Sequence, residues 1–273
     1  MPEAAGTLPV MVMVHGAWQG AWSFDAWRPS LSARGWTTHA LDLPGNGWPP
    51  HGDQPASLQA YADTVIDHLS RFAEPVVLVA HSGGGIVATE VAERVPHRLR
   101  AVVYLAGMML PSGMSFRELI EQVRSTGSFG TRSPSAQALD TQVPDSLAGI
   151  APLLEWNADR SASRVPPQAA LSVFLHDCSP EAAQRAAGLL RWQPESGRAI
   201  CGHWTAARAG SVPRVYVECT RDRSVSLPLQ TAMQMLTPGA HRISLDCGHV
   251  PQLAMPELLT ERVHQALGTL LAS

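Results

Sequence analysis

The feature that most constrains this chain is an apolar run at residues 76–80 that ends at His81-Ser82 and is followed by three glycines. An unbroken apolar run predicts a buried strand of a parallel sheet, and the run at 86–92 predicts a helix directly after the glycines. A serine at the apex of such a sharp strand-to-helix turn has an exposed hydroxyl that can act as a nucleophile. The crowded turn requires small flanking residues, and Ala80 and Gly84 meet that requirement, although glycine is usual at the first position. The alternative is a glycine-rich loop that only lets a helix pack closely on a strand.

Further apolar segments alternate with helical patterns along the chain. Strands are predicted at residues 9–14, 37–43, 101–106, 215–219 and 241–247. Helices are predicted at 58–72, with Ser57 as the N-cap, at 227–236 and at 256–271. This alternation predicts a mostly parallel sheet with right-handed crossovers, flanked by helices. The predicted fold class is therefore α/β.

The middle of the chain departs from this alternation. From about residue 108 to residue 211, helical patches and loops rich in Pro, Gly and Ser occur without a convincing strand. We interpret this segment as a helical cap inserted into an α/β core that comprises residues 1–107 and 212–273. A chain of 273 residues suits one domain with such an insertion.

Composition limits the classes of partner. The hydrophobic fraction of 45% suits a large core, and the net charge of −3 with a pI near 6.4 argues against nucleic acid or an anionic membrane as partner. The sequence contains no apolar window of transmembrane length and no signal-peptide pattern. The cysteines at 178, 201, 219 and 247 form no C-x-x-C pair, so we expect free thiols in a cytoplasmic protein and no bound metal.

Polar or glycine-rich segments follow several of the predicted strands. Catalytic groups of open parallel sheets gather beyond the carboxyl ends of the strands. At these ends the chain has His15-Gly16-Ala17, Ser82, Asp222 and His249, in that order. Ser82 needs a base to remove its proton as it attacks, and His249 after the last strand is the best candidate. Asp222 would hold the imidazole in the required tautomer and stabilise its cation.

Each of these assignments has a structural alternative. His249 can be structural, and Asp222 can be a surface carboxylate paired with the arginines on either side of it. Asp246 lies nearer to His249 in sequence, but we expect it inside the last strand, from which it could not easily reach the imidazole ring. His15 and His81 are expected to shape their own turns through local hydrogen bonds.

A carbonyl under attack by Ser82 requires two preorganised backbone N–H donors for its developing negative charge. Gly83, which follows the serine, is the candidate for one donor, and Ala17 in the loop after the first strand is the candidate for the other. Gly16, Trp18 and His81 are candidate substrate contacts, and Trp18 is favoured because it adjoins Ala17.

Together these residues resemble the α/β-hydrolase superfamily, and more narrowly the plant methylesterase and hydroxynitrile lyase family with its bacterial esterase relatives. The segments that carry the resemblance lie at 15–22, 80–84, 178–181, 214–222 and 248–249, so it covers nearly the whole chain. The serine turn occurs throughout the superfamily, whereas the patterns H-G-x-x-x-G-A-W and C-T-x-D are much more specific. By position, the resemblance implies the α/β-hydrolase fold with Ser82 as nucleophile, Asp222 as acid, His249 as base, and Ala17 and Gly83 as oxyanion donors.

Two positions separate ester hydrolysis from cyanohydrin cleavage in that family. The lyases carry a lysine directly after the catalytic histidine and a threonine after the first-strand histidine, where this chain has Val250 and Gly16. The resemblance therefore implies a serine carboxylic-ester hydrolase that forms an acyl-enzyme and needs no cofactor. Ser82 excludes the dehalogenases and epoxide hydrolases, which use an aspartate. A cofactor-independent dioxygenase, an acyltransferase and a non-enzymatic small-ligand receptor remain alternatives on the same fold.

The cap is expected to roof the substrate pocket. Its aromatic residues are Trp156, Phe174, Trp192 and Trp204. An apolar pocket with few charges suits a small neutral ester, such as a methyl, aryl or alkyl ester or a lactone. The sequence leaves the acyl and alcohol groups undetermined, and it leaves a homodimer among the allowed assemblies.

Two other cap features are interpreted as structural. Arg160, Arg164 and Arg191 are expected to be exposed residues of the cap rather than ligands of a substrate carboxylate. The segment 176–178, His-Asp-Cys, is interpreted as a helix end rather than a second catalytic pair, with Ser179 capping a helix that begins at Pro180.

Overall fold

The computed structural model describes residues 8–46, 55–126 and 147–272. The N-terminal segment in which we found no signal peptide lies mostly outside these ranges, as do most of the loop before Ser57 and part of the predicted cap. Among the described residues, no helix has the length and apolarity needed to cross a membrane.

The elements follow one another in the alternating order expected from the sequence. The first part of the core contains β1 (Met11–Val14), α1 (Arg28–Ala33), β2 (Thr38–Leu41), α2 (Leu58–Leu69), β3 (Val76–His81), α3 (Gly84–Arg94) and β4 (Leu99–Leu105). The middle segment contains α4 (Phe116–Thr126), β5 (Glu155–Trp156), β6 (Ala162–Arg164), α5 (Pro167–Val173), α6 (Pro180–Leu189), β7 (Gln193–Pro194) and α7 (Glu195–Arg198). The chain then forms β8 (Arg214–Cys219), α8 (Leu227–Leu236), β9 (His241–Leu245), α9 (Pro251–Ala254) and α10 (Pro256–Leu271). Short 3-10 helices lie at Ala21–Phe24, Pro96–Arg98, Ala151–Leu153 and Ala209–Ser211.

The main sheet of the described residues has six strands in the order β2-β1-β3-β4-β8-β9, and every adjacent pair is parallel. The predicted α/β architecture is confirmed. The chain leaves the sheet after β4 and returns in the neighbouring strand β8, so the middle segment is inserted without disturbing the strand order. Because all strands are parallel, their carboxyl ends lie along the same edge of the sheet.

Helices cover both faces of the sheet. In β3, Leu78 and Ala80 face an apolar layer that includes residues of α2, α3 and α8, whereas Val77 and Val79 face a layer that includes residues of α1 and α10. A strand that is buried on both faces needs apolar residues at every position. This burial explains why β3 reads as an unbroken apolar run in the sequence.

The middle segment contains a small antiparallel sheet, β5-β6-β7, in addition to helices. The expectation that this segment has no strand is wrong. Each of these strands has only two or three residues, and runs this short carry no alternating pattern. Near α5 and α6, Ala170, Phe174 and Ala187 form a small apolar core that packs against Trp18 and Val250 of the α/β core. The domain boundaries at 108 and 211 stay a prediction.

Candidate active site

Ser82 lies between β3 and α3 with a φ of +52°, a left-handed conformation that is uncommon for a residue with a side chain. Its N–H donates to Leu105 O at 3.1 Å and its carbonyl accepts from Met108 N–H at 2.8 Å, so the end of β4 holds the turn. An ideal Cβ at Gly84 would lie 2.7 Å from His15 O, so a larger residue there would push α3 away from β1. The predicted strand, sharp turn and helix with small flanking residues are confirmed.

His249 and Asp222 meet beyond the carboxyl ends of β9 and β8. His249 Nδ1 lies 2.7 Å from Asp222 Oδ2, and their side chains are 2% and 0% exposed. The other oxygen of Asp222 accepts the backbone N–H groups of Ser224 at 2.7 Å and Val225 at 3.0 Å. These bonds fix the carboxylate, and its bond to Nδ1–H leaves Nε2 as the ring nitrogen that can accept a proton. The alternative in which Asp222 is a surface residue paired with arginines is wrong.

Asp246 does not occupy the place expected for it. β9 ends at Leu245, so Asp246 lies just beyond the strand and not within it. Its side chain is 83% exposed and pairs with Arg221 Nε at 3.1 Å. It also accepts a hydrogen bond from the Thr220 hydroxyl at 3.1 Å. Asp246 therefore points away from the imidazole and toward solvent.

His81 connects the serine turn to the loop of His249. Its Nε2 donates to His249 O at 2.8 Å, its Nδ1 lies 3.0 Å from the Gln19 side-chain amide, and the centroids of the His81 and His249 rings are 4.7 Å apart. Burial lowers the pKa of His81 well below its ordinary value, and the neighbouring His249 lowers it further, so the ring is neutral. His81 thus supports the backbone of His249, and it lines neither cavity described below.

No hydrogen bond joins Ser82 Oγ to His249 in the described part of the chain. Catalytic hydrogen bonds are often long in a free enzyme and shorten when substrate binds. The contact between His81 and His249 O nevertheless holds the two loops next to each other. The structure therefore brings Asp222 and His249 into direct contact and places Ser82 beside them.

Ala17 and Gly83 lie close together beside Ser82. Within the described residues neither backbone N–H donates a hydrogen bond, and an ideal Cβ at Gly83 would lie 3.9 Å from Ala17 N. Two unpaired N–H groups next to a candidate nucleophile can stabilise an oxyanion. An ideal Cβ at Gly16 would lie 2.8 Å from Ser82 Cβ, so in this chain a side chain at position 16 would displace the loop or the serine.

Trp18 joins the α/β core to the cap. Its N–H donates to Gln193 Oε1 at 3.3 Å, its indole N–H donates to Ser163 Oγ at 3.2 Å, and its ring stacks on Phe174 with centroids 6.2 Å apart. Trp18 lines neither cavity described below, so the structure gives it the role of an anchor between core and cap.

His15 shapes its own turn, as expected. Its Nδ1 donates to Gly16 O at 2.8 Å and its Nε2 accepts Leu43 N–H at 3.2 Å. Burial lowers the pKa of His15, which keeps the ring neutral. Both ring nitrogens are occupied by backbone groups, so His15 is not a second candidate base.

Two small cavities adjoin these residues. The oxyanion-side cavity is lined by His15, Gly16, Ala17, Leu43, Asn46, Tyr61, Gly83, Gly84, Val87, Gln193, Gly197, Arg198 and Ile200. The histidine-side cavity is lined by Gln19, Trp22, Ser23, Phe174, Leu175, Ala186, Leu190, Val250, Gln252 and Leu253. The Phe174 ring lies 5.3 Å from the His249 ring, so this second cavity lies beside the contact between His249 and Asp222.

The oxyanion-side cavity contains polar residues that the sequence analysis missed. Tyr61 OH accepts hydrogen bonds from Asn46 Nδ2 at 3.0 Å and from Gln193 Nε2 at 2.9 Å. Arg198 lies in the same wall and forms an ion pair with Glu195 at 2.5 Å. Tyr61 and Gln193 are 132 positions apart, and only Asn46 follows a turn sequence, so no local pattern identifies these residues together.

Of the four cap aromatics considered for the pocket, Phe174 lines the histidine-side cavity and the other three line neither cavity. Trp192 is 40% exposed, and the indole N–H of Trp204 donates to Leu110 O, shortly after β4, at 2.9 Å. Trp156 lies against Arg160, whose guanidinium carbon is 4.6 Å from the ring centroid.

The structural interpretations of other cap residues hold for several positions. Arg164 is half exposed and pairs with Glu155 at 2.6 Å. The Arg191 guanidinium donates to Gly188 O at 3.0 Å, near the end of α6. Ser179 Oγ accepts Ala182 N–H at 3.3 Å and caps α6, as predicted. The cysteines are free thiols, as expected.

Comparisons with known proteins identify the family of this chain. Residues 11–262 match the model of the alpha/beta hydrolase family. Salicylic acid-binding protein 2 of Nicotiana tabacum is 30% identical over 221 residues, which cover 78% of this chain and 79% of the relative. The pyrethroid hydrolase of Sphingobium wenxiniae is 26% identical over 270 residues, covering 94% and 87% of the two chains. Methylesterase 17 of Arabidopsis thaliana is 26% identical over 256 residues, covering 92% and 88%.

Solved structures also resemble this chain over most of its length. A pyrethroid hydrolase from Sphingobium faniae superposes with a TM-score of 0.77 at 23% identity, covering 96% of this chain and 98% of that one. Polyneuridine aldehyde esterase superposes with a TM-score of 0.75 at 22% identity, covering 94% and 98%. At these identities the superpositions establish the shared fold, and the family match covers most of the sequence. The chain belongs to the alpha/beta hydrolase family.

Proposed function

We propose that this carboxylic-ester hydrolase works through Ser82 as nucleophile, His249 as general base and Asp222 as the residue that orients the histidine. The observation that carries the proposal is the buried 2.7 Å contact between His249 Nδ1 and Asp222 Oδ2 beside the strained serine turn. A buried carboxylate on Nδ1–H directs Nε2 toward its proton-transfer role. Curated relatives named methylesterase and pyrethroid hydrolase support an ester as the substrate.

The reaction follows from the roles of these groups. Ser82 Oγ attacks the ester carbonyl carbon while His249 Nε2 accepts the serine proton. The carbonyl oxygen becomes an oxyanion that the Ala17 and Gly83 N–H groups stabilise. His249 then gives its proton to the departing alcohol, which leaves an acyl-enzyme on Ser82. Water, deprotonated by His249, attacks the acyl carbon and releases the acid, and Ser82 regains its proton.

The two cavities suggest which ester is accommodated. The histidine-side cavity has mostly apolar walls, including Phe174, Leu190 and Val250. A mostly apolar wall with few polar groups suits a small, largely apolar ester. Asn46 and Arg198 make the oxyanion-side cavity more polar than the sequence led us to expect. We therefore propose methyl, aryl or alkyl esters and lactones as substrates, processed without a cofactor.

The experiment that tests the triad is hydrolysis of a panel of p-nitrophenyl esters, aryl methyl esters and lactones by the purified protein. Ser82→Ala and His249→Ala should each remove nearly all turnover while circular dichroism shows an intact fold. Their effects should not add in the double variant, because the triad acts as a unit. Turnover that survives in Ser82→Ala, or a double variant far slower than either single variant, would contradict the assignment.

An absence of turnover on every ester would favour one of the other activities of this fold. Oxygen uptake would then test a cofactor-independent dioxygenase, and a ligand-induced rise in melting temperature without turnover would indicate a receptor. Partition of the product toward an added alcohol over water would identify an acyltransferase.

A further inference from the structure

We propose that Asp177 of the cap is a positioning residue that holds the loop of His249 in place, an inference that rests on the proposed triad. Asp177 lies in the turn between α5 and α6. Its Oδ2 accepts the backbone N–H of Gly248 at 2.5 Å, and Gly248 directly precedes His249. The Asp177 side chain is 7% exposed. A hydrogen bond from an N–H to a carboxylate in such a water-poor site is strong.

Gly248 permits this approach because it has no side chain. An ideal Cβ at position 248 would lie 2.6 Å from Asp177 Oδ1 and 2.8 Å from His176 Nε2. The carboxylate and the imidazole of the cap therefore occupy the space where any other residue would place its side chain. With any other residue at this position, the Asp177 carboxylate and the His176 ring would have to move.

The adjacent cap residue contacts the other catalytic loop. His176 Nε2 donates to Arg221 O at 3.1 Å, and Arg221 directly precedes Asp222. Within the core, the N–H of Arg221 donates to Cys247 O at 2.9 Å, which ties the two loops together. Two consecutive cap residues thus bind the residues that come directly before the proposed acid and the proposed base.

Asp177 is also incompletely satisfied. Its Oδ1 is buried and has no hydrogen-bond partner among the described residues. Arg221 pairs with the other oxygen from a distance: its Nη2 is 3.8 Å from Oδ2, and its side chain is 51% exposed. A buried carboxylate oxygen without a partner lowers stability. Buried polar atoms that lack a hydrogen-bond partner are expected at functional positions. The unpaired Oδ1 therefore agrees with a role for Asp177 in positioning the histidine loop.

These contacts make the geometry of the triad depend on the seating of the cap. If the Gly248 N–H loses its acceptor, the loop can rotate and move His249 Nε2 relative to Ser82. A displacement of about 1 Å in a catalytic group can lower the rate about 100-fold. Such a displacement affects the chemical step, so it should lower kcat and leave KM nearly unchanged.

The test compares Asp177→Asn with Asp177→Leu in the full-length protein on its best ester. Asparagine can still accept the Gly248 N–H through its side-chain oxygen, so its kcat should stay within about threefold of the parent. Leucine has no acceptor, so the kcat of Asp177→Leu should fall about 10- to 100-fold, with KM within about threefold of the parent.

Asp246→Asn and Asp246→Leu are the matched controls, because Asp246 pairs with the same Arg221 from the solvent side and does not contact Gly248. Both controls should retain the parental kcat.

Several results would overturn the proposal. These are a parental kcat in Asp177→Leu, an equal loss in Asp177→Asn, and an equal loss in Asp246→Leu. If Asp177→Leu fails to fold, Asp177→Ser replaces it, because serine is too short to reach the amide and should give the same kcat loss. Ser82→Ala is assayed alongside. Turnover in that variant would refute the triad, whereas an inactive Ser82→Ala with a fully active Asp177→Leu would refute only the role of Asp177.

Discussion

Replacing Gly16 by alanine should disable the enzyme through a single added methyl group. An ideal Cβ at Gly16 would lie 2.8 Å from Ser82 Cβ, 3.2 Å from His81 Nδ1 and 3.3 Å from His81 O. Carbon atoms in contact prefer a separation of about 3.5–4.0 Å, so Ser82 and the loop must move apart by about 1 Å. His81 cannot yield easily, because its ring is bonded to His249 O and faces the Gln19 amide.

A shift of about 1 Å at the nucleophile corresponds to about a 100-fold loss of kcat/KM. This loss is equivalent to about 2.7 kcal/mol of transition-state stabilisation. The assay is steady-state ester hydrolysis, with circular dichroism and thermal melting as checks on the fold. Gly268→Ala in α10 is the matched control, since an ideal Cβ there meets nothing within 4 Å and the variant should keep full activity. Parental kcat/KM in Gly16→Ala would refute the argument that this loop fixes the serine.

Two further predictions concern stability. Gln252 is fully buried, and neither polar atom of its side-chain amide has a hydrogen-bond partner among the described residues. Gln252→Leu should therefore raise the free energy of unfolding, measured in urea, by about 1 kcal/mol or more. A decrease would contradict this account. Burial lowers the pKa values of His15 and His81, so below about pH 6.5 the unfolded chain binds more protons than the folded one. The free energy of unfolding should therefore fall as the pH decreases through this range, by up to about 1.4 kcal/mol per pH unit for each histidine, and His81→Gln should reduce the slope measured by urea titration.

The sheet could be predicted from the sequence because burial on both faces imposes a strong pattern. β3 and β4 are apolar nearly throughout, and the predicted helices at 227–236 and 256–271 agree with α8 and α10. The ends of elements were less well predicted. The helix expected at 58–72 ends at Leu69, where the chain turns through Ser70, whose hydroxyl donates to Asp67 O. The short strands of the middle segment could not be predicted, because their pairing partners are set by tertiary contacts.

The candidate site also contains some residues that the sequence predicts and others that it does not. Ser82, Asp222 and His249 each follow a predicted strand, so the parallel topology alone places them at one edge of the sheet. No comparable rule predicts which residues line the cavities. Tyr61 and Gln193 meet through a hydrogen bond that spans 132 positions, and neither lies in a recognisable motif. Sequence patterns therefore predicted the groups that we propose to react, whereas the residues that line the cavities emerged only from the fold.

The segment 176–178 shows how a correct local interpretation can remain incomplete. Ser179 caps α6, so the interpretation of this segment as a helix end was right about the local backbone. The same turn also presents Asp177 to Gly248, a contact across 71 positions. Asp222 contacts His249 across 27 positions and His81 contacts it across 168. Because these three contacts reach residues 248–249 from the cap, from the loop after β8 and from the serine turn, the orientation of the proposed base depends on all three parts of the chain being folded together.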